Sequence, residues 1–521
     1  MTLAMNLKFH LLAVYSLLFL VYCKENNTNA YVSKEVIVIG GGLSGLVAAR
    51  ELMKNTNYTV RVFEGRTDRY GGRVWTSRKS IPRARGVEAE LGAMVINSIA
   101  CKDPPILKMI AEFELQTNST GDMKIYLPDE NLNLEGEQVH KVYSEVLNVL
   151  RNAVDKVKSS KKDISVKKAV EMELENFKSK IDKKILSQVL NTLPNIIFEN
   201  FSATVYKPEN ELGWDTVILD GLDTFLDRIV AGSEGELPLK IELGKVVHQI
   251  KLDPKRQKVV IRIRDGTQRY ADAVIVALPI GVFKSKSVLF EPPLPKNWYQ
   301  AINNLGVGYS NKIIIGFDTV FWPVDTGSFT VTSKTAKDGF LQLWTNLYRY
   351  VKKPLLVGNI FGNQAVQFEN MADDVIKEKA LVVLGEMFGN DVVQRHNITI
   401  LIRSNWSTDP MIKGSVSYPK VGNSQLVWDT LKDPICPYIY FAGSHTESEG
   451  HIDTIHGAFK SGLRAANQVS SGLCKMRKQQ ENEAKMKTQK QKETEKDSKK
   501  ETKFEKDKSK TKTKTMQKDE L

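Results

Sequence analysis

The sequence predicts an α/β protein, and three observations carry that prediction. First, an apolar β-branched run at 36–39 leads through a glycine-rich turn into a helical stretch at 46–54 and then into a second apolar run at 60–63. That is strand, turn, helix, strand in about the length one parallel unit needs. Second, strand-like runs return far downstream, at 245–250, 259–264 and 273–277, and a second sheet region is expected at 310–317 and 355–360. Third, a buried strand at 438–442 runs into Gly443 and then into a helix at 454–469. With 521 residues the chain is long enough for two domains sharing a large core.

Between these parts the pattern changes. From about 101 to 194 apolar positions recur at helical spacing, through 142–154 and 169–177, between Lys/Ser-rich breaks, which reads as a helical insertion. From Lys475 onward no apolar periodicity remains, so the tail 475–521 is expected to be disordered. That tail holds 17 Lys/Arg against 10 Asp/Glu, about half of the formal net charge of +13. The remainder is only mildly basic, so the charge is not a nucleic-acid footprint. Hydrophobic residues make up 41% of the chain, which suits a globular protein and not a membrane bundle.

Both ends read as addresses. Lys8, the apolar run 9–21 and the polar stretch 24–29 have the proportions of a signal peptide, with 1–23 as the expected leader and no stable membrane insertion after its removal. The chain ends Lys518-Asp519-Glu520-Leu521, the tetrapeptide read by the KDEL receptor, so the expected location is the lumen of the endoplasmic reticulum. N-glycosylation sequons begin at Asn26, Asn57, Asn118, Asn200, Asn397 and Asn405. Of the four cysteines, Cys23 leaves with the leader, and Cys101, Cys436 and Cys474 show neither metal-ligand nor CxxC spacing.

The strongest local signal is Gly40-x-Gly42-x-x-Gly45 between the first strand and its helix. Gly40 permits the tight turn, Gly42 lets backbone approach a pyrophosphate, and Gly45 lets helix and strand pack closely. Leu43 and Ser44 open the helix whose free N–H groups face the phosphates. Glu64, at the end of the second strand, is placed to accept hydrogen bonds from a ribose. Arg66 and the cluster Tyr70-Gly71-Gly72-Arg73-Val74 follow, and Arg73 suits a phosphate or a flavin carbonyl.

At these residues the chain resembles the flavin-containing amine oxidase superfamily, which includes polyamine oxidases, monoamine oxidases, L-amino acid oxidases and lysine-specific histone demethylases. Six ordered matches carry the resemblance further: Glu90-Leu91-Gly92-Ala93-Met94-Val95, Lys245-Val246-Val247, Ala277-Leu278-Pro279-Ile280-Gly281-Val282, Phe290-Glu291-Pro292-Pro293-Leu294-Pro295, Phe321-Trp322-Pro323, and a second FAD motif made of Phe441-Ala442-Gly443-Ser444-His445-Thr446 with His456-Gly457-Ala458-Phe459-x-Ser461-Gly462. It implies a discontinuous Rossmann-like FAD-binding domain (32–100, 216–296 and 437–472) interleaved with an α+β substrate domain (101–215 and 297–436). It also implies that Gly92, Ala93, Met94, Val247, Gly443, Ser444, Thr454 and Ile455 join the motif residues around FAD.

The implied chemistry is a polyamine oxidase-like reaction, hydride transfer from the carbon beside an amine nitrogen to flavin N5, with dioxygen reduced to hydrogen peroxide. Lys312, a lysine out of character in an apolar strand, matches the lysine that holds a water at N5 in the similar oxidases. Trp406 resembles the tryptophan packed against the flavin, which would bury its neighbour Asn405. Ser415 stands where monoamine oxidases carry the cysteine joined to flavin, so FAD is expected to be noncovalent. Val416 and His451 take the places of two aromatic walls of a substrate cage, and Ser444 replaces a glutamate. His445, His451 and His456 lack metal-ligand spacing, and no metal is expected. Two alternatives stay open: an L-amino acid oxidase, although Val95 stands where such oxidases often carry an arginine for the substrate carboxylate, and a FAD-binding protein without catalysis.

Overall fold

The computed structural model describes residues 33–78, 89–97, 105–197, 199–208, 215–435, 437–447 and 452–472. The expected leader, the tail with its terminal tetrapeptide, His451 and all four cysteines lie outside the described residues.

A five-stranded sheet carries the first half of the architecture. Its strands are β1 (Glu35–Ile39), β2 (Thr59–Phe63), β3 (Lys240–Glu242), β4 (Ala273–Val276) and β5 (Ile439–Phe441), in the order β3-β2-β1-β4-β5. Every pairing is parallel. The central strand is buried on both faces, as a parallel strand must be. Val36 and Val38 join the cluster formed with helix α1 (Leu43–Asn55), while Ile37 and Ile39 join a second cluster on the other face. That second face is covered by a mainly antiparallel four-stranded sheet, Gln268–Ala271, Lys258–Ile263, Val247–Asp253 and Leu289–Glu291. Replacing fully buried Ile37 by alanine would cost about 3 kcal/mol at such a site.

A seven-stranded sheet organises the other half. Its order is Ile398–Arg403, Ser310–Phe317, Leu355–Phe361, Phe340–Asn346, Ser328–Val331, Met123–Leu127 and Leu132–Leu134. Period-two alternation splits its faces. Ile313, Ile315, Phe317, Trp344 and Phe329 pack with helix Asp373–Phe388. Lys312, Leu343, Thr330 and Asn359 face a cavity instead.

The insertion is helical in part. Helix Glu137–Ser160 is longer than the periodic run at 142–154 suggests, and it packs with Val166–Asn176 and Lys183–Leu190. The stretch before it needs correction: Met123–Leu127 and Leu132–Leu134 are strands of the seven-stranded sheet, and Thr117–Ser119 joins Val95–Asn97 and Asp215–Ile218. Short strands that pair with distant partners carry too few alternating positions to stand out beside a long amphipathic helix. Among the described residues no helix is long and apolar enough to cross a membrane.

Candidate active site

One cavity of about 1010 Å³ runs from the first βα turn to the open face of the seven-stranded sheet. Gly40, Gly42, Leu43 and Ser44 line one end, with Glu64, Arg66, Gly71, Gly72 and Arg73 beside them. Gly92, Ala93, Met94, Val247, Trp406, Gly443, Ser444, Thr454 and Ile455 continue the wall, and Lys312 and Val416 stand further along it. Gly45 lies under the turn; a β-carbon there would sit 2.0 Å from the Gly40 carbonyl oxygen, which explains why only glycine fits.

The turn is shaped for an anion. The N-cap of α1 is Gly42, which offers no side-chain cap, and the first turn holds no acidic residue. The first N–H groups of the helix therefore keep their donors and the positive end of the helix dipole for a ligand. Glu64 is held by its neighbours: Oε2 accepts from Gly41 N at 2.9 Å and Oε1 from Arg66 N at 2.9 Å. Burial pushes its carboxyl above the usual range, against the pull of those two N–H donors and the nearby arginines.

The arginines are less free than the sequence suggests. Arg66 is paired with Asp409. Arg73 donates from Nη1 to Asp453 Oδ1 at 2.6 Å and to the Ser415 carbonyl at 2.8 Å, and from Nη2 to Ser444 Oγ at 2.8 Å. Ser444 Oγ in turn donates to Asp453 Oδ1 at 2.5 Å, and Ser417 N donates to Asp453 Oδ2 at 2.5 Å. Asp453 thus ties three chain segments together at the cavity wall, with φ at 55° and its side chain only 3% exposed. Sequence reasoning did not single it out; an acidic residue just before the last helix, facing a serine where a glutamate is usual, was the available signal.

Lys312 is interior, not on an edge: its strand lies between Ile398–Arg403 and Leu355–Phe361. Its backbone is clamped by Ser404, with Lys312 N donating to Ser404 Oγ at 2.8 Å and Ser404 N to the Lys312 carbonyl at 3.0 Å. Its ammonium crosses to the segment at 90–92, donating to the Gly92 carbonyl at 2.6 Å and the Glu90 carbonyl at 3.3 Å. A β-carbon at Gly92 would lie 1.9 Å from the Arg73 carbonyl oxygen, so glycine is what lets this segment approach. An ammonium has three donors, and one N–H of Lys312 is left for the cavity. Burial pushes the Lys312 ammonium below its ordinary range, and the Glu90 carboxylate opposes that shift. Burial likewise pushes Glu90 up. Glu90 accepts from Thr76 Oγ1 and Leu222 N, and its Oε2 has no partner.

Trp406 is buried; its Nε1 donates to the Leu91 carbonyl at 3.1 Å and its ring meets Trp75 edge-on at 5.8 Å. Asn311 holds its backbone, with Oδ1 accepting from Trp406 N at 3.1 Å and from Ser404 Oγ at 3.0 Å. Asn405 is exposed, contrary to the expectation that it follows Trp406 inside; the chain turns here, with Asp409 N donating to the Asn405 carbonyl at 3.2 Å, and Ser404 and Trp406 take the buried positions on either side. Ser415 Oγ accepts from Ser310 N at 2.5 Å and is committed to the protein. Val416 is half-buried against the helical insertion. His445 is buried without a partner for either ring nitrogen, and burial, with Arg73 nearby, holds it down to about 3. Among the described residues no group of three or more His, Cys, Asp or Glu could hold a metal ion.

The family model described as flavin containing amine oxidoreductase matches residues 43–470. Polyamine oxidase 3 of Oryza sativa subsp. japonica is 28% identical over 473 residues, covering 87% of this chain and 91% of that protein. Lysine-specific histone demethylase 1 homolog 2 of Arabidopsis thaliana is 29% identical over 467 residues, covering 87% of this chain and 60% of that one. In fold, the chain is similar to putrescine oxidase bound to putrescine, with a TM-score of 0.67 at 18% identity over 84% of this chain and 99% of that chain. The match begins at the first helix and takes in the seven-stranded sheet, the other four strands of the parallel sheet and most of the cavity wall, and the chain belongs to the flavin containing amine oxidoreductase family.

Proposed function

We propose that the protein is a FAD-dependent oxidase of small amines, polyamine oxidase-like in chemistry, with FAD held noncovalently. The observation that carries this reading is the continuity of one cavity from the uncapped helix turn at Gly42 to the buried ammonium of Lys312. The residues fit the cofactor: free helix N–H groups and close glycine backbone suit its pyrophosphate, Glu64 suits its adenosine ribose, and Gly92, Ala93 and Trp406 suit the ring. No cysteine stands at Ser415, and its hydroxyl is hydrogen-bonded within the protein. When bound, the flavin supplies the hydride acceptor and passes the electrons to dioxygen, giving hydrogen peroxide.

The chain's own residues do the rest. Lys312 presents one N–H at the cavity, where it can hold a water or donate a proton as negative charge develops. Its positive charge and the dry wall around it also favour the neutral form of the substrate amine, the form that can lose hydride. Trp406, fixed by Leu91 and Asn311, gives the site a rigid aromatic wall.

We infer residence in the lumen of the endoplasmic reticulum from the leader-like start and the terminal Lys518-Asp519-Glu520-Leu521. Support comes from the sequons: Asn57, Asn118, Asn200, Asn397 and Asn405 are all exposed. The test is direct. The purified protein should show an oxidised flavin spectrum, release FAD into the supernatant on acid precipitation, and form hydrogen peroxide when amine is added in air. Flavin retained in the pellet would overturn noncovalent binding, and absence of peroxide from every amine tried would overturn the oxidase reading.

A further inference from the structure

Side chains alternate along strand Ser310–Phe317, and two neighbours on it serve opposite faces. Lys312 stands on the cavity face, in a row across the sheet with Asn359, Leu343 and Thr330. Asn311 points away from the cavity, is buried, and meets helix Gly362–Glu369. Its whole amide is used there. Nδ2 donates to the Ala365 carbonyl at 3.1 Å and to Glu369 Oε1 at 2.6 Å; Oδ1 accepts from Trp406 N at 3.1 Å and from Ser404 Oγ at 3.0 Å. Acceptors stand on one side of the amide and donors on the other, which fixes its orientation. The half-buried Glu369 reaches further. Its Oε1 also accepts from Ser407 N at 2.8 Å and its Oε2 from Thr408 N at 2.9 Å, inside the turn that the Asn405 carbonyl closes with Asp409 N. Burial disfavours the charge on Glu369, yet the donors of Ser407, Asn311 and Thr408 hold its carboxyl below the usual range.

One carboxylate thus holds, from behind the wall, both of the groups that the proposed reaction needs at the cavity. The hold on Trp406 is double: Glu369 grips the two residues after it, and Asn311 grips its own N–H. The hold on Lys312 runs from Asn311 to Ser404, whose hydroxyl accepts from Lys312 N at 2.8 Å. Lys312 and Trp406 line the cavity, whereas Glu369 and Asn311 do not. At a site that works by alignment, a displacement of about 1 Å can cost about 10²-fold in rate. We propose that Glu369 is a positioning residue for the oxidase site, setting the Trp406 ring and the Lys312 ammonium against each other through Asn311 and the turn at 405–409. The proposal rests on the oxidase reading for what the two groups do, but not for where Glu369 places them.

The test separates reach from charge. Glu369→Gln keeps the length and one acceptor oxygen but loses the charge. Glu369→Asp keeps the charge but, one methylene shorter, cannot reach Asn311 and the turn together. Glu369→Ala removes all three bonds. Each flavin-loaded variant is mixed without oxygen with spermidine or phenylethylamine, and the limiting rate of flavin bleaching and the half-saturating amine concentration are read by stopped flow. Visible circular dichroism of the bound flavin reports the placement of its neighbours in the resting protein. Glu369→Ala and Glu369→Asp should keep their flavin, bleach about tenfold or more slowly at saturating amine with little change in the half-saturating concentration, and show altered flavin dichroism. Glu369→Gln should recover most of the rate and the native dichroism. A merely structural role would lower the melting temperature and leave rate and dichroism native well below it; that result, or Glu369→Asp indistinguishable from the native protein, would overturn the proposal. Should Glu369→Ala fail to fold, the comparison of the Asp and Gln variants decides alone. A native protein whose flavin no amine bleaches would sink the oxidase reading, and the dichroism of the variants would still decide the positioning.

Discussion

The turn at residues 40–45 and the cavity face of the seven-stranded sheet meet in one cavity but are built on different principles. The turn works through backbone: uncapped N–H groups on α1, and glycines where a β-carbon would strike a carbonyl oxygen at 2.0 Å. The sheet face works through side chains, and its row gathers Lys312, Thr330, Leu343 and Asn359 from four strands. A backbone site tolerates little variation and sits in consecutive residues. A side-chain site can change its chemistry at any position without disturbing the strands, because register is set by the other, apolar face. The first should therefore be brittle and shared, the second tunable and particular to this chain.

The largest expected effect breaks the backbone side of this contrast. Gly45→Val cannot be accommodated beside the Gly40 carbonyl without moving the helix, and flavin per chain should fall roughly tenfold or more, read from the visible spectrum. Lys312→Met should behave oppositely: full flavin content, but oxidation slowed about 10²-fold in stopped-flow traces. Unchanged turnover would remove Lys312 from the mechanism.

Smaller effects sharpen the comparison at the seam. Asp453→Ala leaves the Arg73 guanidinium without its ion-pair partner, and should cost about 3 kcal/mol in denaturant unfolding. His445 adds a pH dependence. The folded protein holds it down to about 3, against an ordinary value of 6.5, because burial disfavours its charged form. The unfolded chain thus takes up a proton that the folded one refuses, and stability is lost as pH falls from 6.5 toward about 3. Melting curves at pH 7 and pH 5 should differ more for the native protein than for His445→Phe. Smallest of all, Ser165→Ala removes the cap that accepts from Lys168 N at 3.3 Å and should cost about 1 kcal/mol, with flavin content unchanged.

What could be read beforehand follows the same division. The strand–turn–helix–strand unit and Gly40-x-Gly42-x-x-Gly45 are visible because their residues are neighbours in sequence. Lys312 stood out because an apolar strand made it conspicuous, yet its partners at Glu90 and Gly92 lie more than 200 residues away and no local pattern marks them. Asp453 was hidden for a similar reason: it completes the Arg73 pair across 380 residues. Asn405 misled because inside and outside alternate residue by residue next to Trp406. Met123–Leu127 disappeared into a helical reading because its partner strand, Ser328–Val331, comes two hundred residues later.

The proposed function requires that an amine placed beside Lys312 give up hydride to a flavin held at the turn. The most direct measurement mixes the flavin-loaded protein with an amine in a stopped-flow cell without oxygen. The oxidised flavin band should bleach in proportion to amine and return, with hydrogen peroxide, when air is admitted. A fully loaded protein that dithionite bleaches and no amine does would contradict it.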